Sequence, residues 1–528
     1  MSWWKAIAAW TVLAGSVALA YGWTLGAYFV ADDFGYINRF ASFPFASWPG
    51  LFVADWSGGI WGTPLNELRP FTALSFIIDT RLWGGNAGGY HLTNLLLHLF
   101  CSGLVMLIAR ATINVGWPGA LLAGVLFALH PVHREAVIWI TGRVDLLSAA
   151  GLLLGFYGFL RYRAEPRWAW LAVAWCAYGF GIFAKESALL LPFVALLSDR
   201  AFRGPEGRPW RQEMAPFAGW AAAAAVYIGC RLSAMGGSAT VFEIADVLFG
   251  LARGIRRIVM YSGAMFLPRG RLSSLYERLA PYQGVVAALI IAAIVIALIA
   301  ALRVPRWRRS DAIRATVFFG AAWPIVLTMP LVVTYYSTRH LYAPTAGFII
   351  GAVAALGYVL SRRVAFAAAA AVLVAGVAAQ SIAGMRNWQE TQALSRQINE
   401  AVAEVARRSA NGDLIVLDVP ELVNGRWVWA WAVPFALRPP FHATDVRDRL
   451  IVLSPPGVYR YPEAWPSPRT TDRLERASGG GWLISSTPGR AVTIRQLAPE
   501  SVSRIQDGPL DTHEAFDRAV DSLEPARP

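Results

Sequence analysis

The stretch that decides the fold is residues 130–147, His-Pro-Val-His-Arg-Glu-Ala-Val-Ile-Trp-Ile-Thr-Gly-Arg-Val-Asp-Leu-Leu. It places two histidines, two arginines, a glutamate and an aspartate between two long apolar runs. An ionisable side chain at the centre of a bilayer costs about 2.5 to 3.5 kcal/mol. If the flanking runs lie in a membrane, this cluster needs a cavity, internal partners or a function.

The composition of the whole chain indicates a membrane protein. Of its 528 residues, 56% are apolar and only 15% are charged, and apolar stretches long enough to cross a bilayer follow one another along the chain. These features predict a polytopic α-helical membrane protein rather than a soluble enzyme. Cys101, Cys176 and Cys230 all lie inside apolar runs, so we expect them to pack as small hydrophobic residues rather than form disulfides or a metal site.

The net charge of +13 does not indicate a nucleic-acid partner, because the arginines cluster in short loops between apolar runs. The positive-inside rule explains that pattern and makes these loops cytoplasmic. The first apolar run follows Lys5 and continues past a weak cleavage-like Ala18-Leu19-Ala20, so we interpret it as an uncleaved first span.

The pattern predicts about eleven crossings, with the N-terminus in the cytoplasm and the protein in the plasma (inner) membrane. The arginine loops on both sides of residues 168–199 must be cytoplasmic, so this region must hold two short crossings that meet near Lys185, with Pro192 as a kink. The predicted spans are 6–30, 91–110, 118–130, 144–160, 168–184, 187–199, 214–230, 284–302, 315–333, 340–360 and 364–382.

Two domains are predicted. Residues 1–385 form the transmembrane domain, with outer loops 31–90 and 231–283, the second of which contains an amphipathic stretch. Residues 386–528 form a small extracytoplasmic α/β domain that ends in a polar tail. Its helix is expected at 388–408 and its strands at 414–419, 450–453, 482–486 and 492–494.

In this topology the polar interruptions of the apolar pattern all fall on the outer face, so we expect them to share one cavity. Asp32 and Asp33 directly follow the first span. Adjacent carboxylates raise each other's pKa and can act as a general base or as metal ligands; the alternative is an acidic helix end that faces water. No cofactor is indicated, although the acidic pair leaves a divalent cation open.

Histidines on the second span and in the 130–147 stretch are the next candidates. His91, Asn94 and His98 share one helical face, and His91, nearest the outer end, is the candidate for the cavity. His130 and His133 lack a third ligand at a diagnostic spacing, so no metal site is predicted. The alternative for the stretch is a self-satisfied network, in which Arg143 or Arg134 pairs with Glu135 or Asp145.

Two cations on the outer face have the properties of anion ligands. Only two lysines stand among the 47 Lys and Arg residues, and Lys185 is the one at the outer face, beside Glu186. It is suited to bind phosphate as a point charge, or to pair with Glu186. Arg339, with His340 and Tyr342 after it, is suited to hold an anionic head group; the alternative is an interfacial aromatic belt with one snorkelling arginine.

Together these motifs resemble the membrane core of the transmembrane and tetratricopeptide-repeat O-mannosyltransferases, which belong to the C-type (GT-C) membrane glycosyltransferases. The resemblance covers about residues 1–385. It is carried by the acidic pair 32–33, Arg69-Pro70, Tyr90-His91-Leu92-Thr93-Asn94, the blocks 130–137 and 142–147, Lys185-Glu186 and the block 339–344.

The resemblance implies a transferase that moves a sugar from a polyprenyl-phosphate carrier to an extracytoplasmic acceptor, a protein hydroxyl or an envelope glycan. It implies Asp32 or Asp33 as the catalytic base. Arg339, Lys185, Arg69 and Arg143 would bind the donor phosphate. The expected cavity and supporting residues are His91, His130, His133, Glu135, Asp145, Glu186, His340 and Tyr342.

The chain departs from this family in its tail, where the small α/β domain stands in place of a tetratricopeptide array. The departure leaves the sugar and the acceptor open and suggests a bacterial-type relative. The alternative functions are a transporter or flippase of lipid-linked sugars and a non-catalytic membrane scaffold.

Overall fold

The structure is a computed structural model that describes residues 3–62, 64–202, 209–235, 311–329, 337–360, 362–453, 480–486 and 491–507. The predicted span 284–302 and the amphipathic stretch of loop 231–283 lie outside these residues. Its helices are α1 (Trp3–Tyr21), α2 (Asp32–Ala41), α3 (Pro70–Trp83), α4 (Ala87–Thr112), α5 (Gly116–Leu129), α6 (Arg134–Ile138), α7 (Arg143–Ala164), α8 (Trp168–Ala184), α9 (Leu191–Phe202), α10 (Trp210–Ala234), α11 (Asp311–Thr328), α12 (Tyr342–Val359), α13 (Arg363–Ala383), α14 (Arg386–Arg408), α15 (Val433–Ala436) and α16 (Pro499–Asp507).

The chain is a mostly helical, polytopic membrane protein. Within the described ranges, seven helices are long and apolar enough to cross a bilayer, or eight if α5 and the following 131–138 segment, bent by 42°, form one span. Helices occupy every predicted span that falls in these ranges. Several of them are shorter than a full crossing, so eleven crossings remain a prediction.

In the region 168–199, which is predicted to hold two crossings, the position of Pro192 differs from the prediction. A one-turn 3₁₀ helix, Glu186–Leu190, follows α8, and α9 begins at Leu191. Pro192 is thus the second residue of α9, where its missing N–H costs no helical hydrogen bond. Pro192 therefore lies next to the junction of the 3₁₀ helix and α9, and the chain turns at Lys185 and Glu186.

Glycines allow α7 and α8 to approach closely. A Cβ atom on Gly151 would lie 2.5 Å from the Cα of Gly181, a distance that no side chain tolerates. Small residues permit such close backbone packing between membrane helices. The contact places the start of α7, which carries Asp145, beside the end of α8, which carries Lys185.

The C-terminal region contains a mixed four-stranded sheet in the order β4-β1-β5-β6. Strand β1 (Leu414–Asp418) is parallel to β4 (Ile451–Leu453) and β5 (Gly481–Ser485), whereas β6 (Thr493–Leu497) is antiparallel to β5. A separate hairpin pairs β2 (Leu422–Val423) with β3 (Arg426–Trp427). These strands coincide with the predicted ones to within a few residues, except for the hairpin, which the sequence analysis did not identify.

This sheet and the predicted outer loop 31–90 share one hydrophobic core. Phe29 and Phe34, at the end of the first span, are fully buried in the same cluster as Ile398 of α14 and Trp429. The Phe441 ring lies 5.1 Å from Phe29 and 4.8 Å from Phe34. The predicted boundary at residue 386 therefore divides the sequence but not the hydrophobic core.

We expect the Phe29→Ala substitution to destabilise the outer loop and the C-terminal region together. Removing a fully buried phenylalanine costs about 3 to 5 kcal/mol through lost burial and the remaining cavity. Thermal unfolding in detergent should show a lower midpoint, and limited proteolysis should cut both regions faster. Phe45, which is 54% exposed, provides the control, since Phe45→Ala should change neither measurement. Faster cleavage of only one region would contradict the shared core.

Candidate active site

One cavity of about 560 Å³ lies where the predicted outer loop 31–90, the start of α7, the turn before α12 and the C-terminal region meet. Among the described residues, its charged lining consists of three carboxylates and three guanidinium groups. Six tryptophans form much of the remaining wall. These charged and tryptophan residues are Asp32, Glu67, Glu135, Arg69, Arg339 and Arg426, with Trp56, Trp61, Trp139, Trp388, Trp427 and Trp431.

Asp32 is the first residue of α2 and faces this cavity. The preceding Ala31 has a positive φ of 47° and donates its backbone N–H to the Val428 carbonyl at 2.7 Å. The Trp431 indole donates a 2.6 Å hydrogen bond to Oδ1 of Asp32. Burial raises the pKa of Asp32 to about 6, although the Trp431 hydrogen bond and Arg339 act to lower it. Its carboxylate is therefore ionised at neutral pH and well suited to accept a proton.

Asp33 has a different environment and does not line the cavity. It is fully buried, and its Oδ1 accepts hydrogen bonds from the backbone and hydroxyl of Thr141 at 2.9 and 2.7 Å. Its Oδ2 accepts from the Val30 backbone at 3.1 Å. Burial raises the pKa of Asp33 to about 7, against the effect of these hydrogen bonds. Asp33 thus ties the end of the first span to the turn that precedes α7.

Arg69 reaches the cavity from the residue before α3, whose first residue is Pro70. Its guanidinium pairs with Glu67 at 2.8 Å and with Glu186 at 3.3 Å. The adjacent residues Lys185 and Glu186 therefore have different partners. The Lys185–Glu186 pair considered from the sequence is not formed.

Asp145, in the first turn of α7, joins the other two predicted phosphate ligands. It contacts Lys185 Nζ at 2.5 Å and Arg339 Nε at 3.4 Å. Arg339 also lies over the Trp139 ring, with its guanidinium carbon 4.7 Å from the ring centroid, and it lines the cavity. Neither Lys185 nor Asp145 lines the cavity, so the charge of Lys185 reaches the site through Asp145, which pairs with Arg339.

Glu135 holds the turn that presents Arg339. Its two carboxylate oxygens accept hydrogen bonds from the Ser337 hydroxyl at 2.6 Å, the Thr338 backbone at 3.0 Å and the Thr338 hydroxyl at 2.5 Å. Close packing at Gly142, where an added Cβ would lie 2.8 Å from the Glu135 carbonyl, keeps the 130–147 stretch folded on itself. This stretch thus supports the Arg339 turn, as well as supplying Glu135 to the cavity wall.

Arg143 is placed away from the cavity. It is fully buried, and its guanidinium contacts Asp79 at 2.6 Å, the Tyr90 carbonyl at 3.2 Å and the Phe76 ring at 4.4 Å from the centroid. Through these contacts Arg143 connects α3, α4 and α7 inside the protein. The geometry does not bring Arg143 to the other predicted phosphate ligands.

The predicted histidines and Tyr342 also lie outside the cavity lining. Tyr342 Oη is 2.6 Å from His98 Nδ1, and its ring is 4.6 Å from that of His133. His130 accepts a hydrogen bond from the Val132 backbone, and His91 is fully buried on α4. His340 precedes Tyr342 in the turn that carries Arg339. In the described part of the chain, no three histidine, cysteine, aspartate or glutamate residues are grouped to hold a metal ion.

The C-terminal region contributes residues to the site that were not predicted from the sequence. Arg426, Trp427 and Trp431 all line the cavity, and Arg426 lies over the Trp388 ring at 4.1 Å. The available signal was the aromatic segment Gly-Arg-Trp-Val-Trp-Ala-Trp at 425–431. Aromatic rings beside a few placed polar groups are typical of small-molecule sites, but nothing in the local pattern indicates which cavity such a segment would face.

We expect Arg143 to contribute to stability rather than to phosphate binding. Arg143→Met alone leaves Asp79 as an uncompensated buried charge and should cost about 3 to 5 kcal/mol of stability. The double variant Arg143→Met/Asp79→Leu removes both charges and should recover most of that loss, as measured by thermal unfolding in detergent. If the double variant were as unstable as the single one, pairing with Asp79 would not explain the contribution of Arg143 to stability.

The comparisons with known proteins agree with the sequence motifs. Residues 70–232 match the family described as "Dolichyl-phosphate-mannose-protein mannosyltransferase". The chain is 35% identical over 236 residues to "Protein O-mannosyl-transferase Tmtc2" of Drosophila melanogaster, which covers 42% of this chain and 25% of that protein. It is 31% identical over 189 residues to "Protein O-mannosyl-transferase TMTC2" of Mus musculus, covering 33% of this chain and 22% of that protein.

Two solved structures show a more distant likeness. ArnT from Cupriavidus metallidurans bound to undecaprenyl phosphate has a TM-score of 0.47 and 15% identity, over 93% of this chain and 97% of that one. The archaeal oligosaccharyltransferase AglB from Archaeoglobus fulgidus has a TM-score of 0.40 and 14% identity, over 79% and 63%. The chain spans about a quarter of the length of the curated relatives it matches. The sequence matches confirm the predicted resemblance to the O-mannosyltransferases, which the family model places at residues 70–232 of the membrane region.

Proposed function

We propose that this chain is a glycosyltransferase that moves a sugar from a polyprenyl-phosphate carrier to an extracytoplasmic acceptor. The single observation that carries the proposal is the cavity, which brings the carboxylate of Asp32 and the guanidinium groups of Arg69 and Arg339 to one space. An ionised carboxylate can remove a proton from an acceptor hydroxyl, while arginines can bind a phosphate leaving group. Both halves of such a transfer therefore have candidate residues.

In the proposed reaction, the oxygen of the acceptor hydroxyl attacks the anomeric carbon of the donor sugar, and Asp32 takes the proton of that hydroxyl. The bond from this carbon to the phosphate oxygen breaks, and the carrier phosphate leaves with the bonding electrons. Arg69 and Arg339 stabilise the charge that grows on this phosphate, an effect that is strongest in a site shielded from water. A single displacement inverts the anomeric centre and requires no covalent enzyme intermediate.

The remaining predicted site residues have supporting roles in this proposal. Asp33 holds the segment that carries Asp32, because its carboxylate is occupied by Thr141 and Val30. Asp145 and Glu135 hold Arg339 in place, and Lys185 balances the charge of Asp145. The base is therefore assigned to Asp32, and phosphate binding to Arg69 and Arg339.

The tryptophan wall supports a sugar as the transferred group. Trp56 and Trp139 line the cavity near the two arginines, with the Arg69 guanidinium 5.8 Å from the Trp56 centroid. Aromatic faces combine a large apolar surface with a polar edge, which suits the mixed surface of a hexose. Mannose is the first donor to test, because the matched relatives are named as mannosyltransferases. The acceptor is a protein hydroxyl or an envelope glycan.

We also infer the orientation, with eleven crossings, the N-terminus in the cytoplasm and the cavity on the outer side of the plasma membrane. An odd number of crossings places the C-terminus outside. We expect a phosphatase reporter fused after Pro528 to be active and a cytoplasm-dependent fluorescent reporter at the same position to be dark. The reverse pattern, or activity of both, would overturn this topology. A fusion after Arg163, in a predicted cytoplasmic loop, provides the opposite control.

The central experiment is the Asp32→Asn substitution, which keeps the shape of the side chain and removes its basicity. We expect transfer to fall about 10²- to 10⁴-fold, the usual contribution of a general base, with little change in donor binding. Membranes that contain the full chain are supplied with radiolabelled polyprenyl-phosphate mannose, and label is measured in delipidated protein and glycan. Transfer by the unmodified chain should rise with pH and level off above about 6, because the ionised form of Asp32 is the active one.

The matched control is Asp448→Asn, a surface carboxylate of the C-terminal region that should leave transfer unchanged. Retained transfer in Asp32→Asn would overturn the base assignment. Movement of labelled lipid between leaflets without release of the sugar would support a flippase instead. If chains with and without Asp32 restored a deletion strain equally, a non-catalytic scaffold would be the better explanation.

A further inference from the structure

The C-terminal region is bound to the segment that carries Asp32 by several polar contacts. The Ser395 hydroxyl donates to the Phe29 carbonyl at 2.6 Å, and the Trp429 indole donates to the Ser395 hydroxyl at 2.9 Å. The Val428 carbonyl accepts from the Ala31 backbone at 2.7 Å. These contacts surround the strained residue Ala31, directly before Asp32. The position of Asp32 therefore depends on residues about 400 positions away in the chain.

Among these contacts, the hydrogen bond from Trp431 reaches the Asp32 carboxylate itself. An indole N–H can only donate, so the bond requires an oxygen with an available lone pair and favours the ionised carboxylate. Fixing Oδ1 also fixes the plane of the carboxyl group, and hence the direction of its second oxygen. A base must point at the proton it removes, since small misorientation is costly for the rate.

Trp429, only two residues away, has a different role. It is buried in the shared core, with its ring 5.6 Å from that of Phe34. Trp431 instead lines the cavity, with its ring 4.9 Å from that of Trp427. Trp429 thus holds the C-terminal region on the membrane domain, whereas Trp431 contacts the base.

We propose that Trp431 is a positioning residue for the base Asp32, so that the C-terminal region completes the active site and is not a separable accessory domain. This inference rests on the proposed glycosyltransferase function. Trp431 holds the carboxylate in its ionised form and in one orientation, ready for the acceptor hydroxyl. The segment 425–431 also supplies one wall of the space in which the acceptor meets the sugar.

The test is the Trp431→Phe substitution in the full chain, which keeps a ring and removes the donor. A hydrogen bond to a charged group is strong, so losing this one should raise the pKa of Asp32. The acidic limb of the pH–rate profile should therefore move to higher pH by about one to two units. Transfer should therefore fall about 10- to 100-fold near pH 5 and recover largely above pH 8. The KM for radiolabelled polyprenyl-phosphate mannose should stay unchanged.

Trp429→Phe is the matched control, because it removes an indole hydrogen bond from the same segment without touching Asp32. It should lower thermal stability and leave the pH profile where it is. An unshifted profile in Trp431→Phe would overturn the inference, and so would an equal shift in both variants, which would indicate general loosening. Retained transfer in Asp32→Asn would overturn the base assignment itself. Loss of transfer in Asp32→Asn together with an unshifted profile in Trp431→Phe would overturn only the role of Trp431.

A second measurement does not depend on transfer. Carbodiimide modifies protonated carboxyl groups, so the pH dependence of Asp32 modification, measured by peptide mass spectrometry, follows its ionisation directly. In Trp431→Phe the modification should persist to a pH about one to two units higher than in the unmodified chain. Identical modification curves in the two proteins would overturn the inference even if the substitution lowered activity through poorer folding.

Discussion

The rest of the site depends on the pairing of Asp145 with two cations. Its carboxylate lies between Lys185, at the end of α8, and Arg339, in the turn before α12. Each of these charges would be expensive at the edge of a bilayer if it were alone. Because Asp145 is shared, the start of α7, the end of α8 and the distant turn before α12 are brought to one point, and the glycine contact between α7 and α8 makes the approach sterically feasible. These ends of the spans thus converge, and the cavity forms beside them.

The sequence predicted the membrane spans and the set of charged residues better than their roles. Hydrophobic length and arginine placement depend on local composition, so Lys185, Arg339 and Asp32 could be assigned to the same face without a structure. Which charge pairs with which depends on helix packing, and this is why Arg143 was expected at the phosphate but lies against Asp79 instead. Likewise a Lys185–Glu186 pair was one of the alternatives, whereas Glu186 pairs with Arg69. Charge identity can be read from a sequence, but pairing is set by three-dimensional proximity.

The role of the C-terminal region was the least accessible to sequence reasoning. Its strands and long helix follow simple patterns and were predicted at about the right positions. Its tryptophans, however, are divided between the shared core and the cavity. Tryptophans at every second position of a short irregular segment do not show which of them faces which. Trp429 packs against Phe34 while Trp431 bonds to Asp32. The two roles follow from the way the segment meets Ala31 and Asp32, a contact across nearly the whole length of the chain.

The position of Asp32 in the same cavity as Arg69 and Arg339 has a consequence for the energetics of the proposed transfer. A donor phosphodiester would bring in one negative charge, and the departing carrier phosphate would hold two once Asp32 has taken up the acceptor proton. The total charge inside the cavity would be the same before and after the chemical step. What changes is its location, from Asp32 to the phosphate beside Arg69 and Arg339. Catalysis would then be an internal displacement of charge down a fixed electrostatic gradient, and the chemical step should be far less sensitive to external salt than the capture of the donor.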